Sequence, residues 1–552
     1  MLLCLASCVF YLNPLPAQQN IPLGRDWNYL VGTETIKLKS SDSLGVLQIT
    51  EVAYQKNETG FYPTIQTYQI HQVKDKSRKL LFRKIKKESL FIIKDTADKF
   101  YMTIDPLFNF EFGKDLVDKT GEKLYKNTRG FIVRGNIGKK IAFESNFYEN
   151  QATYVQYIDD YIFSTNKLFP QVVNYQYDVV PGQGRAKKFK NNGYDYAMAS
   201  GYISYSPYKV LNIQLGHGKH FVGDGYRSLL LSDNSFNYPY ARITTTYKNI
   251  QYTNLYTSFM NLTNGGVKTP PNVERLFQKK TASFQMLSMN FFKRLQIGLF
   301  QGMIWEAADS TNRQHFSFNT FNPVIGVNTA VYGLHHTNNI LLGATLKFKI
   351  TNSISLYGQY MLDDVYQKNN MGDIRKRYGY QIGFKYFDLF AIKNLHLQLE
   401  YNNVRPYAYA ASNIYQSYTH YNQALAHPLG ANFYEAVGFI NYKLKDWFIQ
   451  LKGNYAVKGI DSLSNNFGGN IFRSDNVFPA TQNTNVIETT QGLKTTIMYQ
   501  DIQVGYLVNP ATNLNIIIGL VNRTEQNSKI NKQTQFVYFG LRTSLANFYY
   551  DF

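Results

Sequence analysis

From about residue 100 onward, apolar and polar side chains alternate along the chain with a period of two. In one segment Leu395, Leu397, Leu399 and Tyr401 alternate with His396, Gln398, Glu400 and Asn402, and segments 211–215, 354–363 and 447–458 repeat the scheme. This alternation predicts strands with one apolar and one polar face. A soluble antiparallel sheet with one wet face has the same pattern. The number of such segments favours a transmembrane β-barrel, with lipid outside and a hydrated lumen inside.

Short turns separate these segments and set the expected number of strands. They lie at 137–139, 207–209, 248–249, 293–294, 351–353, 392–394, 444–446 and 509–513. Eight turns imply sixteen strands, and a first strand near Met102–Phe112 and a terminal strand bring the expected total to about 18 antiparallel strands. Longer stretches at 151–194, 217–240, 304–340, 404–432 and 458–494 are expected to be outer loops, opposite the short periplasmic turns.

The two ends of the chain are consistent with an exported barrel. Residues 535–552 form one aromatic, β-prone stretch ending at Phe552, and we expect this strand to pair with the first strand and close the barrel. Residues 1–17 carry no charge and resemble a secretory signal peptide cut after Ala17, although a basic start is missing. Residues 5–8 also match a lipoprotein box, but the apolar run before them is short. Cys4 and Cys8, the only two cysteines, lie within this segment.

The region between the signal and the barrel is different in character. Residues 74–88 hold eight basic and two acidic residues, and Leu81, Ile85 and Leu90 recur at roughly helical spacing. This pattern fits either a solvated helix or a helix resting on anionic headgroups. The predicted organisation is therefore a signal peptide at 1–17, a small periplasmic helical region at 18–98, and an all-β outer-membrane barrel at 99–552.

Composition narrows the class of partners. The net charge is +20, the mean hydropathy is −0.33, and 45 Tyr and 39 Phe accompany 38 Gly. Aromatic residues suit the interface girdles of a barrel. A basic exported chain suggests acidic partners, such as lipopolysaccharide phosphates or anionic glycans. Nucleic acid is a poor fit for an exported chain without a recognised binding motif, and no cofactor is expected.

The densest candidate site is the glycine-rich segment 215–234. Its four closely spaced glycines permit unusual backbone conformations, and they bring together His217, Lys219, His220, Asp224, Tyr226 and Arg227. A loop that folds into the lumen and holds itself by polar contacts is one interpretation. A glycan site is the other. Two histidines and one carboxylate on a loop are weak evidence for a metal, and no phosphate-cradling motif is present.

A second cluster lies at 405–432 and mixes aromatic with polar side chains. Its candidates are Arg405, Tyr407, Tyr418, His420 and His427. Such side chains can stack on sugar rings while bonding their hydroxyls. We expect both clusters to line one polar, aromatic surface at the outer mouth. A hydrolase remains an alternative, but no nucleophile-elbow pattern occurs, so no catalytic residues are predicted.

Several stretches resemble the capsule-assembly Wzi family, and more closely its Bacteroidota branch of gliding-motility RemB proteins. They are 216–234, 238–243, Phe321–Ile325, 417–432 and Ile104–Phe108. The resemblance covers most of the chain from about residue 100. It implies a surface barrel with an associated helical region that acts as a lectin for capsular polysaccharide or as a helper of surface motility, in contact with motility or secretion machinery. It provides no catalytic residues.

Together these features predict a non-enzymatic outer-membrane barrel that binds or organises cell-surface polysaccharide and supports adhesion or gliding. The expected partners are membrane lipid, lipopolysaccharide and surface polysaccharide. The alternative is a porin or a substrate-specific outer-membrane channel, which the polar inner face of the strands would also suit.

Overall fold

A computed structural model of the chain gives its fold. The structure describes residues 84–86, 88–95, 100–138, 140–167, 179–190, 192–208, 210–262, 277–292, 294–306, 321–332, 338–365, 376–462, 465–475, 487–543 and 545–552, together with the paired strands Gln19–Asn20 and Thr64–Ile65. The predicted signal at 1–17 and most of the region at 18–98 lie outside these residues.

Within the described residues, eighteen antiparallel strands form one closed barrel. They are β1 Phe100–Asp115, β2 Leu124–Ile137, β3 Ile141–Thr153, β4 Gly193–Tyr208, β5 Leu211–Gly218, β6 Tyr238–Tyr247, β7 Ile250–Met260, β8 Lys279–Phe291, β9 Leu295–Glu306, β10 Asn339–Lys349, β11 Ile354–Val365, β12 Lys376–Tyr386, β13 Leu395–Val404, β14 Phe433–Leu444, β15 Trp447–Ile460, β16 Leu493–Asn509, β17 Leu514–Gln526 and β18 Asn531–Arg542.

Shorter elements accompany the barrel. They are helix α1 Gln156–Lys167, helix α2 Val327–Tyr332, the 3₁₀ turns Leu389–Ala391 and Ile414–Gln416, and the short strands Phe91–Lys94, Lys187–Phe189, Thr419–His420 and Gln423–Ala424. In the described part of the chain, no helix is both long and apolar enough to cross a membrane.

The predicted strand count, first strand and eight turns are confirmed, because each turn joins consecutive barrel strands. The predicted faces are confirmed as well. In β13, Leu399 is exposed on the outer wall while Glu400 and Asn402 are buried on the inner side. An unbroken ring of hydrogen-bonded strands with an apolar outer surface is the form in which a sheet spans a bilayer. The protein is thus an outer-membrane barrel.

The closing seam differs from the prediction. Strand β18 pairs with β1 only from Phe536 to Arg542 and ends there, so residues 545–552 belong to no barrel strand. Farther along the same edge of β1, the short strand Phe91–Lys94 pairs with residues 101–104. The expectation that Phe552 lies on the closing strand is therefore wrong. Along that part of β1, the pairing strand is Phe91–Lys94, which precedes the barrel in the chain.

The lumen is filled by chain rather than left open. The connection between β5 and β6 and the connection between β13 and β14 both fold inward, and their buried apolar residues pack on the inner wall in one continuous cluster. Helix α1 adds a second packed group beside β3 and β4. We call the inward-folded residues 219–237 and 405–432 the plug.

Candidate functional site

Glycines shape the first half of the plug. Gly223 has a φ of 111°, which L side chains rarely adopt, and a Cβ there would lie 1.9 Å from the Gln359 side-chain nitrogen. A Cβ on Gly225 would lie 2.6 Å from the Glu400 carboxylate. These two positions therefore allow the loop to turn in direct contact with the barrel wall.

The inner wall supplies acceptors for the turned backbone. Glu400 of β13 accepts hydrogen bonds from the backbone nitrogens of Tyr226 at 2.6 Å and Arg227 at 3.0 Å. Tyr357 of β11 donates to the same carboxylate at 2.9 Å. The Gln359 side chain accepts from the Leu229 backbone nitrogen at 2.7 Å. Because an unpaired backbone group inside a protein is costly, these inward polar residues determine where the loop sits.

Arg227 is the centre of a buried charge network. Its guanidinium lies 2.8 Å from Glu435 of β14 and 3.0 Å from Asp551, and all three side chains are 0% exposed. Lys452 of β15 approaches Asp551 at 2.6 Å. His427 lies 2.7 Å from Glu435 through Nε2, while its Nδ1 accepts from the Leu429 backbone. A neutral His427 with its proton on Nε2 can therefore donate to Glu435 and accept from Leu429 at the same time.

Residues 405–432 of the plug hold residues 219–237 in place through tyrosine hydrogen bonds. The Tyr409 hydroxyl donates to the Leu229 carbonyl at 2.7 Å, and the Tyr418 hydroxyl donates to the Leu230 carbonyl at 2.6 Å. The two rings stack with their centroids 5.7 Å apart. Tyr407 donates to the Asn466 carbonyl at 2.7 Å. These tyrosines act as braces between loops.

His420 is held in one neutral form within the plug. Its Nδ1 accepts from the Met260 backbone nitrogen at 3.0 Å, and its Nε2 lies 3.1 Å from the Asn237 carbonyl. Burial, with a smaller contribution from the nearby Lys280, lowers the pKa of His420 to about 3. Burial and Arg242 likewise hold the pKa of His220 well below its usual range.

The predicted candidates are thus brought together, but not as an open surface. His220, Tyr226, Arg227, Tyr407, Tyr418, His420 and His427 are buried. The expectation that they line the outer mouth is wrong, because the loops that carry them bond to inward polar residues of the wall. Four candidates are only partly buried, namely His217, Lys219, Asp224 and Arg405. Asp224 pairs with Lys347 at 2.9 Å, and Lys219 donates to the Gly182 carbonyl.

The C-terminal residues 545–552, which we call the tail, complete the filling of the lumen. Tyr549 donates to Asp233 of the plug at 2.6 Å. Asn454 of β15 donates to the Asp551 carbonyl at 2.8 Å. Phe552 packs on Tyr161 of α1, with ring centroids 4.5 Å apart. The sequence does not single out Asp551 or Asp233, because the composition of the tail fits a strand and the partner of Asp233, Tyr549, lies in that tail.

A cavity of about 250 Å³ lies between the tail, helix α1 and the wall of β1, β2 and β15 to β18. Its walls combine tyrosines with charges of both signs, contributed by Glu111, Lys126, Lys452, Asp501 and Arg542. This volume is slightly below the roughly 300–1,000 Å³ of drug-sized ligand pockets. Within the described ranges, no group of three or more His, Cys, Asp or Glu side chains is placed to hold a metal ion.

A basic rim lies at the loop end of neighbouring strands β18, β1, β2, β3 and β4. Its exposed members, which define the lysine rim, are Lys114, Lys119, Lys123, Lys187, Lys188, Lys190, Lys529 and Lys532. Acidic residues in the same zone are partly engaged. Lys532 pairs with Asp160 at 2.6 Å, and Glu122 accepts from Asn192 at 3.0 Å. The eight lysines outnumber the partly exposed acidic residues at the same loop ends, which are Asp118, Glu122, Asp159, Asp160, Asp195 and Glu525, so the rim is positive on balance.

Comparison with known proteins gives distant structural similarity. No family model matches the chain, and no curated protein matches it. Solved structures with a similar barrel include Wzi, a carbohydrate-binding β-barrel of group 1 capsule assembly in Escherichia coli, with 13% identity, a TM-score of 0.47, and coverage of 80% of this chain and 85% of that one.

Two other solved structures have a similar barrel. Acinetobacter baumannii OccAB2 has 10% identity and a TM-score of 0.42, covering 80% of this chain and 98% of its own. Pseudomonas aeruginosa OprD has 9% identity and a TM-score of 0.40, covering 82% and 98%. Similarities this distant do not decide function, and the barrel assignment rests on the strand pairing itself.

Proposed function

We propose that this protein is a plugged outer-membrane barrel that binds anionic cell-surface polysaccharide at its outer rim and does not serve as an open pore. The observation that carries the proposal is the buried network of Arg227, Glu435 and Asp551, which ties the plug and the tail to the wall. Breaking a buried ion pair by removing one partner is strongly unfavourable. A plug held in this way is a permanent part of the fold.

The ligand class follows from the lysine rim. Its exposed ammonium groups face the side of the membrane on which the long loops lie. A net positive field attracts a polyanion and raises its local concentration. Lys190 lies 5.2 Å from the ring centre of Phe189, so an apolar ring accompanies the charges. Acidic sugars can use both kinds of group.

The proposal is tested by binding of the purified barrel to surface polysaccharide extracted from the producing cells. The test variant is the triple K119A/K123A/K187A, and the matched control is K140A/K393A/K445A, which removes the same charge from exposed lysines at the turn end. At roughly 0.5 kcal/mol per exposed charge, the test triple should bind about tenfold more weakly. The control should bind like the parent.

Salt provides an independent check, since contacts between exposed charges weaken as ionic strength rises. Equal affinity of the two triple variants, or binding that is insensitive to salt, would contradict a role for the rim. The bound polysaccharide would in turn support adhesion or gliding of the cell. In that case the test triple should also reduce cell attachment or spreading, while the control triple should not.

A substrate-specific channel is the second candidate, favoured by the charged cavity beside the tail. Such a path would run between the tail and β15 to β18, past Lys452 and Arg542. Planar-bilayer recording separates the two candidates. A steady conductance from the intact protein, blocked by a small charged solute, would favour the channel over the plugged binder.

A further inference from the structure

The outer wall of β7, β8 and β9 carries polar side chains where lipid contact would call for apolar ones. Gln285 and Gln301 belong to the outward-facing set of their strands, because their neighbours Phe284 and Phe300 pack in the lumen cluster. Two residues before Gln301 on the same face, Leu299 is 50% exposed. Gln285 and Gln301 are nevertheless 0% exposed. Something other than lipid covers them.

The cover is residues 321–332, which we call the strap. They follow β9 and include helix α2. The sequence predicts a long outer loop at 304–340, but residues 321–332 lie against the outside of the wall. The strap contains Phe321–Ile325, one of the segments that resemble the Wzi family, and this segment takes no part in the lumen site.

Wall side chains donate hydrogen bonds to three consecutive carbonyls of the strap. Tyr256 donates to the Phe321 carbonyl at 3.3 Å, Gln285 donates to the Asn322 carbonyl at 3.1 Å, and Tyr252 donates to the Pro323 carbonyl. Pro323 has no backbone N–H, so no acceptor is needed for it. Three successive carbonyls in irregular backbone therefore have partners.

The amide groups that follow are paired too. The Val324 backbone nitrogen donates to the Asn322 side chain at 3.0 Å, and the Ile325 nitrogen donates to the Tyr252 hydroxyl at 2.9 Å. The Gly326 nitrogen donates to Gln301 at 2.7 Å. The Gln285 side-chain nitrogen, the Gln301 side-chain oxygen and the Tyr252 hydroxyl thus supply hydrogen-bond partners for the strap backbone.

These contacts lie at the depth of the hydrocarbon core. Strands β7, β8 and β9 have 11, 13 and 12 residues, close to the roughly 9–11 that a tilted strand needs to span the bilayer. Gln285 and Gln301 are each the seventh residue of their strand. Irregular backbone at this depth is tolerated only when its polar groups are bonded to protein, and the carbonyls of residues 321–323 and the N–H groups of residues 324–326 are bonded in this way.

We infer that the strap is a membrane-embedded segment whose outer side contacts lipid acyl chains. That side is apolar and exposed, with Val324 at 52% and Val327 at 38%. It continues the lipid-facing belt that includes Leu299. Continuity with this belt identifies acyl chains as the occupant.

The test measures the environment of the strap in a bilayer. A bimane label on V324C, in protein carrying C4S and C8S and refolded into phosphatidylcholine vesicles, is exposed in turn to a nitroxide-labelled lipid and to aqueous iodide. L299C on the bare wall is the lipid control, and K188C on the lysine rim is the water control. We expect the V324C label to be quenched by the lipid nitroxide to within about twofold of L299C, and to be shielded from iodide.

Two further variants test the role of the wall. Y252F removes the hydroxyl that bonds Pro323 and Ile325, and Q301A removes the acceptor for Gly326. Combined in the V324C protein, they should raise iodide quenching several-fold as the strap loosens, while heat-modifiable gel mobility stays that of a folded barrel. Y205F removes a hydroxyl from an exposed tyrosine elsewhere on the wall and should leave quenching unchanged.

Two outcomes would overturn the inference. Iodide quenching of V324C equal to that of K188C would place the strap in water. Shielding from both quenchers, relieved when the protein is diluted to separate barrels, would make a second protein the occupant instead of lipid.

Discussion

Arg227 and Glu435 lie 208 residues apart in the chain, and their side chains meet at 2.8 Å with no exposure to solvent. One belongs to a loop and the other to the barrel wall. Asp551 of the tail joins them at 3.0 Å from the guanidinium. A single buried cation therefore connects three distant parts of the chain, and the filled lumen depends on it.

Replacing Arg227 with Ala should destabilise the folded barrel by about 3–5 kcal/mol, because Glu435 and Asp551 would be left buried without their cation. The measurement is the urea midpoint of unfolding followed by gel mobility. Arg294→Ala, which removes an exposed arginine at a turn, should change stability by less than about 0.5 kcal/mol. Equal effects of the two variants would show that the network contributes little.

Acidification should destabilise the plug through His420. The folded pKa is about 3 and the unfolded value is about 6.5, so below pH 6.5 the unfolded state binds more protons. Stability then falls by up to about 1.4 kcal/mol per pH unit down to pH 3. The reason is local, since a proton on Nδ1 would face the Met260 N–H. The urea midpoint of His420→Asn should depend less on pH than that of the parent across this range.

Deleting residues 545–552 should leave the barrel closed and open its lumen. Strand β18 ends at Arg542, so wall pairing does not need the tail, while the cavity beside the tail would widen. We expect folded-barrel gel mobility to be retained and planar-bilayer conductance to appear. Phe552→Asp should likewise preserve outer-membrane levels. Loss of folded protein in both variants would restore an assembly role for the tail.

Gly225→Ala should disturb the plug, because its new Cβ would lie 2.6 Å from the Glu400 carboxylate that anchors Tyr226 and Arg227. Overpacking of this kind typically costs about 1–3 kcal/mol. Gly453→Ala is the control, since nothing lies within 4 Å of a Cβ there. Unfolding midpoints of the two variants should differ accordingly, and indistinguishable midpoints would contradict close packing at Gly225.

The sequence by itself determined the barrel wall. Alternation such as Leu399 outward and Glu400 inward, and turns such as Lys248–Asn249, are readable because a strand's two faces meet different surroundings and a tight turn needs particular residues. Both signals depend on residues next to each other in the chain. They identified the strands, their faces and their number.

Only the tertiary structure decided what fills and covers that wall. Arg227 needs Glu435 and Asp551, the tail needs Asp233, and the strap needs Tyr252, Gln285 and Gln301. Each of these polar groups could also have been hydrated at a surface. The sequence around it therefore does not predict which residue it pairs with. An aromatic, β-prone end that fits a closing strand fits a lumen filler as well. The choice was made by the buried polar groups of the inner and outer wall, which must be paired wherever water is excluded.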